Sequence, residues 1–105
     1  MAQFDVHRNQ NSATAKSIPY LLDVQSDLLD SLATRVVVPL ARPNVLGNKL
    51  AHYLNPLFEV EGATLVMLTP EMAGVPVKHL GLVAGNLTDR RADIVRALDV
   101  VFSGV

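Results

Sequence analysis

The sequence predicts a mainly β protein, a small and strongly curved antiparallel β-barrel capped by a single C-terminal α-helix. Three observations lead there. Short apolar or alternating runs recur through residues 3–80, each bounded by turn-forming residues. Most connections between them are of hairpin length, which antiparallel pairing allows and parallel pairing does not. A sustained helical period occurs only in the last segment.

Taken in order, residues 3–8 alternate, with Phe4 and Val6 on one face, as a half-buried strand requires. Residues 9–17 hold Asn, Gln, Ser, Thr, Ala and Lys16, and read as a loop. A second strand is expected over 18–24, followed by a turn-rich segment, 23–30, that carries the adjacent pair Leu28-Leu29. Arg35-Val-Val-Val-Pro-Leu40 is the strongest strand signal, β-branched, continuous and expected to end at Pro39. Its three consecutive valines imply burial on both faces or a place at a dimer contact. Residues 42–48, with Pro43 and Gly47, form a turn, and Leu50, Tyr53 and Leu54 are spaced for one short helical turn before Pro56.

Runs 57–60 and 63–68 flank Glu61-Gly62, a two-residue hairpin signal. Thr69-Pro70 ends that strand, residues 71–74 lead into a strand over 75–80, and residues 81–86 read as a loop. The helix then opens with Thr88 as its expected cap and Asp89 at the positive end of its dipole. Ile94, Val95, Leu98, Val101 and Phe102 form one apolar stripe opposite Arg90, Asp93, Arg96 and Asp99. No repeat, low-complexity tract or linker divides the chain, so residues 1–105 read as one domain.

Composition narrows the function. A chain of 105 residues buries roughly 65% of its unfolded surface, enough for one core. Half of the residues are hydrophobic and 18% are charged, which excludes disorder and leaves apolar surface for self-association or a partner. The net charge of −1 and the absence of a Lys/Arg run disfavour direct nucleic-acid binding. Without cysteine, disulfide frameworks, thiol catalysis and Cys-based zinc sites are excluded. The N-terminus lacks the apolar core of a signal peptide, and no apolar run approaches the ~20 residues of a membrane span. A cytoplasmic protein is expected.

Candidates for chemistry are few. His7, His52 and His79 fall on three elements without metal-ligand spacing, so no metal is expected. Asp23, Asp27 and Asp30 lack the Gly and terminal Glu of a calcium loop and read as turn-forming and capping residues. Ser26, Ser31 and Ser103 have no base partner, and no Gly-rich phosphate-binding motif occurs, so neither a catalytic residue nor a cofactor is assigned. Arg90 and Arg91 read as solvated. Two apolar features remain. Leu28 and Leu29, flanked by Asp27 and Asp30, cannot both turn inward. The chain ends Phe102-Ser103-Gly104-Val105 with no polar tail; either Phe102 and Val105 complete the packing stripe, or they form an exposed anchor at the helix end.

Four blocks, Asp23-Val-Gln-Ser-Asp-Leu-Leu-Asp30, Arg35-Val-Val-Val-Pro-Leu40, Met72-Ala-Gly-Val-Pro-Val77 and the terminal Phe-x-Gly-aliphatic, together resemble the CcdB toxins, the gyrase-poisoning halves of bacterial toxin–antitoxin modules. The resemblance spans residues 3–105 and implies a homodimer of SH3-like barrels, each with an extra small sheet and a C-terminal helix. It implies binding to the A subunit of DNA gyrase, trapping of that enzyme on cleaved DNA, and neutralisation by a disordered antitoxin segment that folds onto the toxin. Nucleic acid would be met only through gyrase or an antitoxin complex. Carried over by position, the gyrase-contacting residues are Leu28, Leu29, Asp99, Phe102, Ser103, Gly104 and Val105. Members typified by the plasmid-borne toxin carry Trp where this chain has Ser103, Ile at Val105 and Asn at Asp99. The Ser103 difference removes an anchor of roughly 200 Å². Two further readings stand beside this one: an endoribonuclease toxin of the MazF type, which shares the barrel architecture, and a toxin homologue that has lost gyrase poisoning.

Overall fold

Residues 2–47 and 54–104 are described by the computed structural model. Among the described residues seven strands, β1 (Asp5–Asn9), β2 (Tyr20–Asp23), β3 (Thr34–Ala41), β4 (Leu57–Val60), β5 (Ala63–Met67), β6 (Ala73–Pro76) and β7 (Leu80–Asn86), precede one helix, α1 (Arg91–Ser103). Every strand pair is antiparallel, in the order β4-β5-β3-β2-β1-β7, with β6 added beside β3. β3 is the shared strand. One edge pairs with β2, while the other pairs with β6 along residues 34–37 and with β5 at Leu40 and Ala41.

The sheet curls into a half-barrel. Glu61, at the tip of the β4–β5 hairpin, accepts hydrogen bonds from Arg8 of β1 at 2.7 Å and from the Tyr20 hydroxyl of β2 at 2.6 Å. Those strands lie several places away in sheet order, so only a strongly coiled sheet brings the three residues together. Glu61 and Gly62 both take positive φ, the turn geometry that matches strand twist in a two-residue hairpin.

Alternation along the strands assigns the two faces. Val6, Leu22, Val38, Leu40, Phe58, Leu65 and Met67 are buried on the inner face, closed by Ile94 and Ala97 of α1, with Val95 and Leu98 packed alongside. Ala41, Val66 and Leu68 form a smaller cluster on the other face, covered by Ile18, Leu46 and Leu57. The valine run is thus buried on both sides, since Val37 and Val38 are both inaccessible.

Several expectations are corrected. Pro39 lies inside β3 and does not end it. Its carbonyl accepts from the Leu68 N–H, so the missing Pro N–H falls on that same edge, where β3 changes partner from β6 to β5. The first strand starts at Asp5, because Phe4 takes a φ of 70° while its ring stays buried. Residues 75–80 are divided: β6 stops at Pro76 and a 3₁₀ turn occupies Val77–His79. Residues 81–86, read as a loop, belong to β7, which pairs with β1 through register shifts on either side of His7. Thr88 does not cap α1. It begins a 3₁₀ turn, Thr88–Arg90, and donates its own N–H to Asn86 Oδ1 at 2.8 Å. The expected helical turn at Leu50 and Tyr53 lies outside the described residues.

Candidate functional site

The Leu28-Leu29 segment is a single 3₁₀ turn, Asp27–Leu29, with none of its residues buried. Leu28 is 93% exposed and Leu29 49%. The Ser26 hydroxyl caps the turn by accepting the Leu28 N–H at 3.2 Å. Beneath it lies Arg35, only 1% exposed although fully charged. Its Nε donates to Asp23 Oδ2 at 2.7 Å, its Nη1 to Asp30 Oδ1 at 3.2 Å and its Nη2 to the Gln25 carbonyl at 3.3 Å, with Asp27 Oδ1 at 3.5 Å. Burial alone would push the guanidinium toward neutrality. The hydrogen bond and charge of Asp23, joined by Asp27 and Asp30, outweigh that cost and raise its pKa. The three aspartates therefore converge on one cation and do more than form turns.

Gln25 continues the network. Its Nε2 donates to the Leu29 carbonyl at 3.2 Å and its Oε1 accepts the Val36 N–H at 3.0 Å. Gln3 adds a tie from the N-terminal segment, donating its N–H to Asp27 Oδ1 at 2.8 Å and accepting from Arg91 Nη1 at 3.3 Å.

At the other apolar feature the helical stripe divides. Ile94 and Ala97 are buried, but Phe102 is 72% exposed and Val101 is exposed beside it. Phe102 thus does not complete the packing stripe; Val105 lies outside the described residues. Gly104 ends the helix at φ 75°, in the left-handed conformation, and its N–H bonds the Val100 carbonyl at 3.0 Å. Asp99 and Ser103 are exposed, and the Ser103 hydroxyl donates back to the Asp99 carbonyl at 2.8 Å. The two features rest on different supports. Gln3 links the Leu28 turn to Arg91 at the start of α1, whereas Phe102 stands eleven residues farther along, roughly 16 Å at helical rise.

Other expected residues fall elsewhere. Arg90 and Arg91 are not merely solvated: their guanidinium carbons sit 4.8 Å and 5.5 Å from the ring centroids of Phe58 and Phe4, and Arg90 also pairs with Asp93. His7 is buried, its Nδ1 3.1 Å from the Gly81 carbonyl and its Nε2 without a hydrogen-bond partner among the described residues, while His79 is exposed. His52 lies outside the described residues. Among the described residues no group of three or more His, Cys, Asp or Glu is arranged to hold a metal ion, and no helix is long and apolar enough to cross a membrane. A concavity of about 500 Å³ opens on the outer face, between the 9–18 loop and β2, β3 and β6, and among the described residues on its wall the one titratable side chain is His79. Leu82 and Val83 of β7 form a further exposed apolar pair.

Sequence reasoning missed Arg35 as an organiser. The available signal was an arginine at the start of an otherwise apolar strand, with three aspartates upstream. What it did not contain was the loop geometry that folds those aspartates back over the sheet.

The fold and these exposed groups define a class of small half-barrel proteins that present apolar side chains on a turn and at a helix end. A family model described as CcdB protein matches residues 3–104, and the chain belongs to the CcdB family. It is a toxin of the toxin–antitoxin type.

Proposed function

We propose that the protein poisons DNA gyrase, binding the A subunit and holding the enzyme on cleaved DNA, and that a cognate antitoxin neutralises it in the cytoplasm. The observation that carries this reading is the exposure of Phe102, an aromatic that a soluble helix would otherwise turn inward. Leu28 and Leu29 supply a second apolar contact, and Asp99, Ser103, Gly104 and Val105 complete the surface that resemblance to the family assigns to gyrase. The protein acts by binding and performs no bond-making step of its own. In a homodimer each of these groups occurs twice, which doubles the anchors available to a two-fold symmetric target. With Ser103 in place of a Trp, Phe102 and the Leu28 turn carry more of the interaction.

Purified gyrase tests the reading. Titration with the protein is expected to inhibit supercoiling and to accumulate cleaved DNA on protein denaturation. Absence of both at high protein concentration would overturn it, and sequence-specific cuts in a long single-stranded RNA would replace it with the endoribonuclease reading.

A further inference from the structure

The turn that carries Leu28 has no buried side chain of its own, since none of Asp27, Leu28 and Leu29 is buried. A three-residue 3₁₀ turn has little intrinsic persistence, and an apolar anchor pays the entropy of ordering at the moment of binding unless something orders it beforehand. Here the ordering group is visible. The Arg35 fork reaches Gln25 and Asp27 on one side of the leucine pair and Asp30 on the other, from a base held by Asp23 within the sheet. Gln25 adds a bond to the Leu29 carbonyl itself. Arg35 is sealed from solvent, so a docking partner touches the turn and not the guanidinium.

Resting on the gyrase reading above, we propose that Arg35 is the positioning residue for the Leu28-Leu29 anchor: its buried guanidinium, clamping Asp27 and Asp30, sets the turn in its binding conformation before gyrase arrives. A lysine cannot replace it. One ammonium is a point charge, whereas the guanidinium directs five donors in fixed directions and meets acceptors before and after the turn at once.

The test compares wild type with Asp27→Asn/Asp30→Asn, which alters the two exposed clamps and leaves the buried Arg35–Asp23 pair in place, and with Asp30→Glu and Leu28→Asp. Readouts are gyrase supercoiling inhibition, the denaturation midpoint, and amide hydrogen exchange at Leu29 and Asp30 relative to Val38 and Leu40. The double variant is expected to lose at least tenfold in inhibitory potency and to exchange faster at Leu29 and Asp30. Exchange at Val38 and Leu40 should be unchanged and the midpoint nearly so, with Asp30→Glu retaining most of the potency. Arg35→Lys, where it folds, is expected to reproduce the same selective loss. Wild-type potency in the double variant, while Leu28→Asp abolishes inhibition, overturns the positioning role alone. Lost potency with unchanged exchange at Leu29 and Asp30 also overturns it, since the aspartates would then act by direct contact. A uniform rise in exchange overturns it in favour of general destabilisation. Wild-type potency in Leu28→Asp instead removes the turn from the gyrase surface, and the inference falls with that reading.

Discussion

The Nε of Arg35 donates to Oδ2 of Asp23 at 2.7 Å, and both side chains are sealed from solvent. A buried ion pair of this kind is expensive to assemble and more expensive to break, because removing one partner leaves the other charge in a low-dielectric interior. Its place in the fold explains why the expense is tolerated. The pair joins β2 to β3 directly beneath the exposed leucines.

Replacing Arg35 by Ala is therefore expected to destabilise the protein by about 3–5 kcal/mol, a large part of the 5–15 kcal/mol typical of a domain. Urea denaturation followed by circular dichroism measures it. Asp23→Leu combined with Arg35→Met should cost less than the sum of the single changes, because the double variant leaves no charge unpaired. Simple additivity would contradict the pairing.

The Glu61 contacts give stability a pH dependence. The Tyr20 hydroxyl, then Arg8, hold the Glu61 carboxyl below its ordinary value of 4.5. The folded state thus favours the carboxylate. The contribution is complete above the unfolded value and is lost as pH falls through the depressed folded one. Tyr20 shifts the opposite way: the Glu61 hydrogen bond, with burial, raises it above 10.0, so its contribution is complete below that pH and is lost as pH rises through the folded value. Glu61→Gln should lose less stability than wild type on acidification from about pH 6 to about pH 3, measured by denaturant midpoints. Equal losses would show that Glu61 does not contribute.

Phe102→Ala should separate binding from folding. Because the ring is mostly exposed, stability should change by no more than about 0.5 kcal/mol. Gyrase inhibition should weaken about tenfold or more, roughly 1.4 kcal/mol. Deleting Ser103 to Val105 is expected to abolish poisoning with the fold retained, and Ser103→Trp to strengthen it. Loss of the folded state on either Phe102→Ala or the truncation would mean that the helix end is a packing element.

Gly81 is tightly confined. A Cβ there would stand 2.5 Å from the Arg8 carbonyl oxygen and 3.1 Å from the Arg8 Cβ, where β7 runs close beside β1. Gly81→Ala should cost about 1–3 kcal/mol by forcing the strands apart, readable as a lowered denaturant midpoint. An unchanged midpoint would show that β7 shifts freely at its edge position.

Much of this architecture was legible because it depends on local pattern. Alternation placed Phe4 and Val6 inward, the valine run marked a strand either buried on both faces or set at a dimer contact, and Glu61-Gly62 marked its hairpin. The helical period of Ile94 and Leu98 located α1. The errors share a cause as well. Residues 81–86 contain two glycines and no clean alternation, and they become a strand only because β1 supplies an edge to pair with. Pro39, locally a strand breaker, is accommodated because the sheet changes partner where its N–H is missing.

The candidate site divides the same way. Composition and the four sequence blocks determined by themselves that the chain carries an apolar pair at Leu28-Leu29 and an apolar terminus, and that it resembles the CcdB family. Side-chain chemistry and spacing are local properties, and they survive in one dimension. Whether those side chains face the core or the solvent was decided only by the tertiary structure. Phe102 is exposed because α1 extends beyond the sheet that buries Ile94 and Ala97. Leu28 is exposed on a loop whose aspartates meet Arg35, a neighbour only after β2 and β3 pair. Exposure depends on what lies across from a residue, and that is set by contacts between segments distant in sequence.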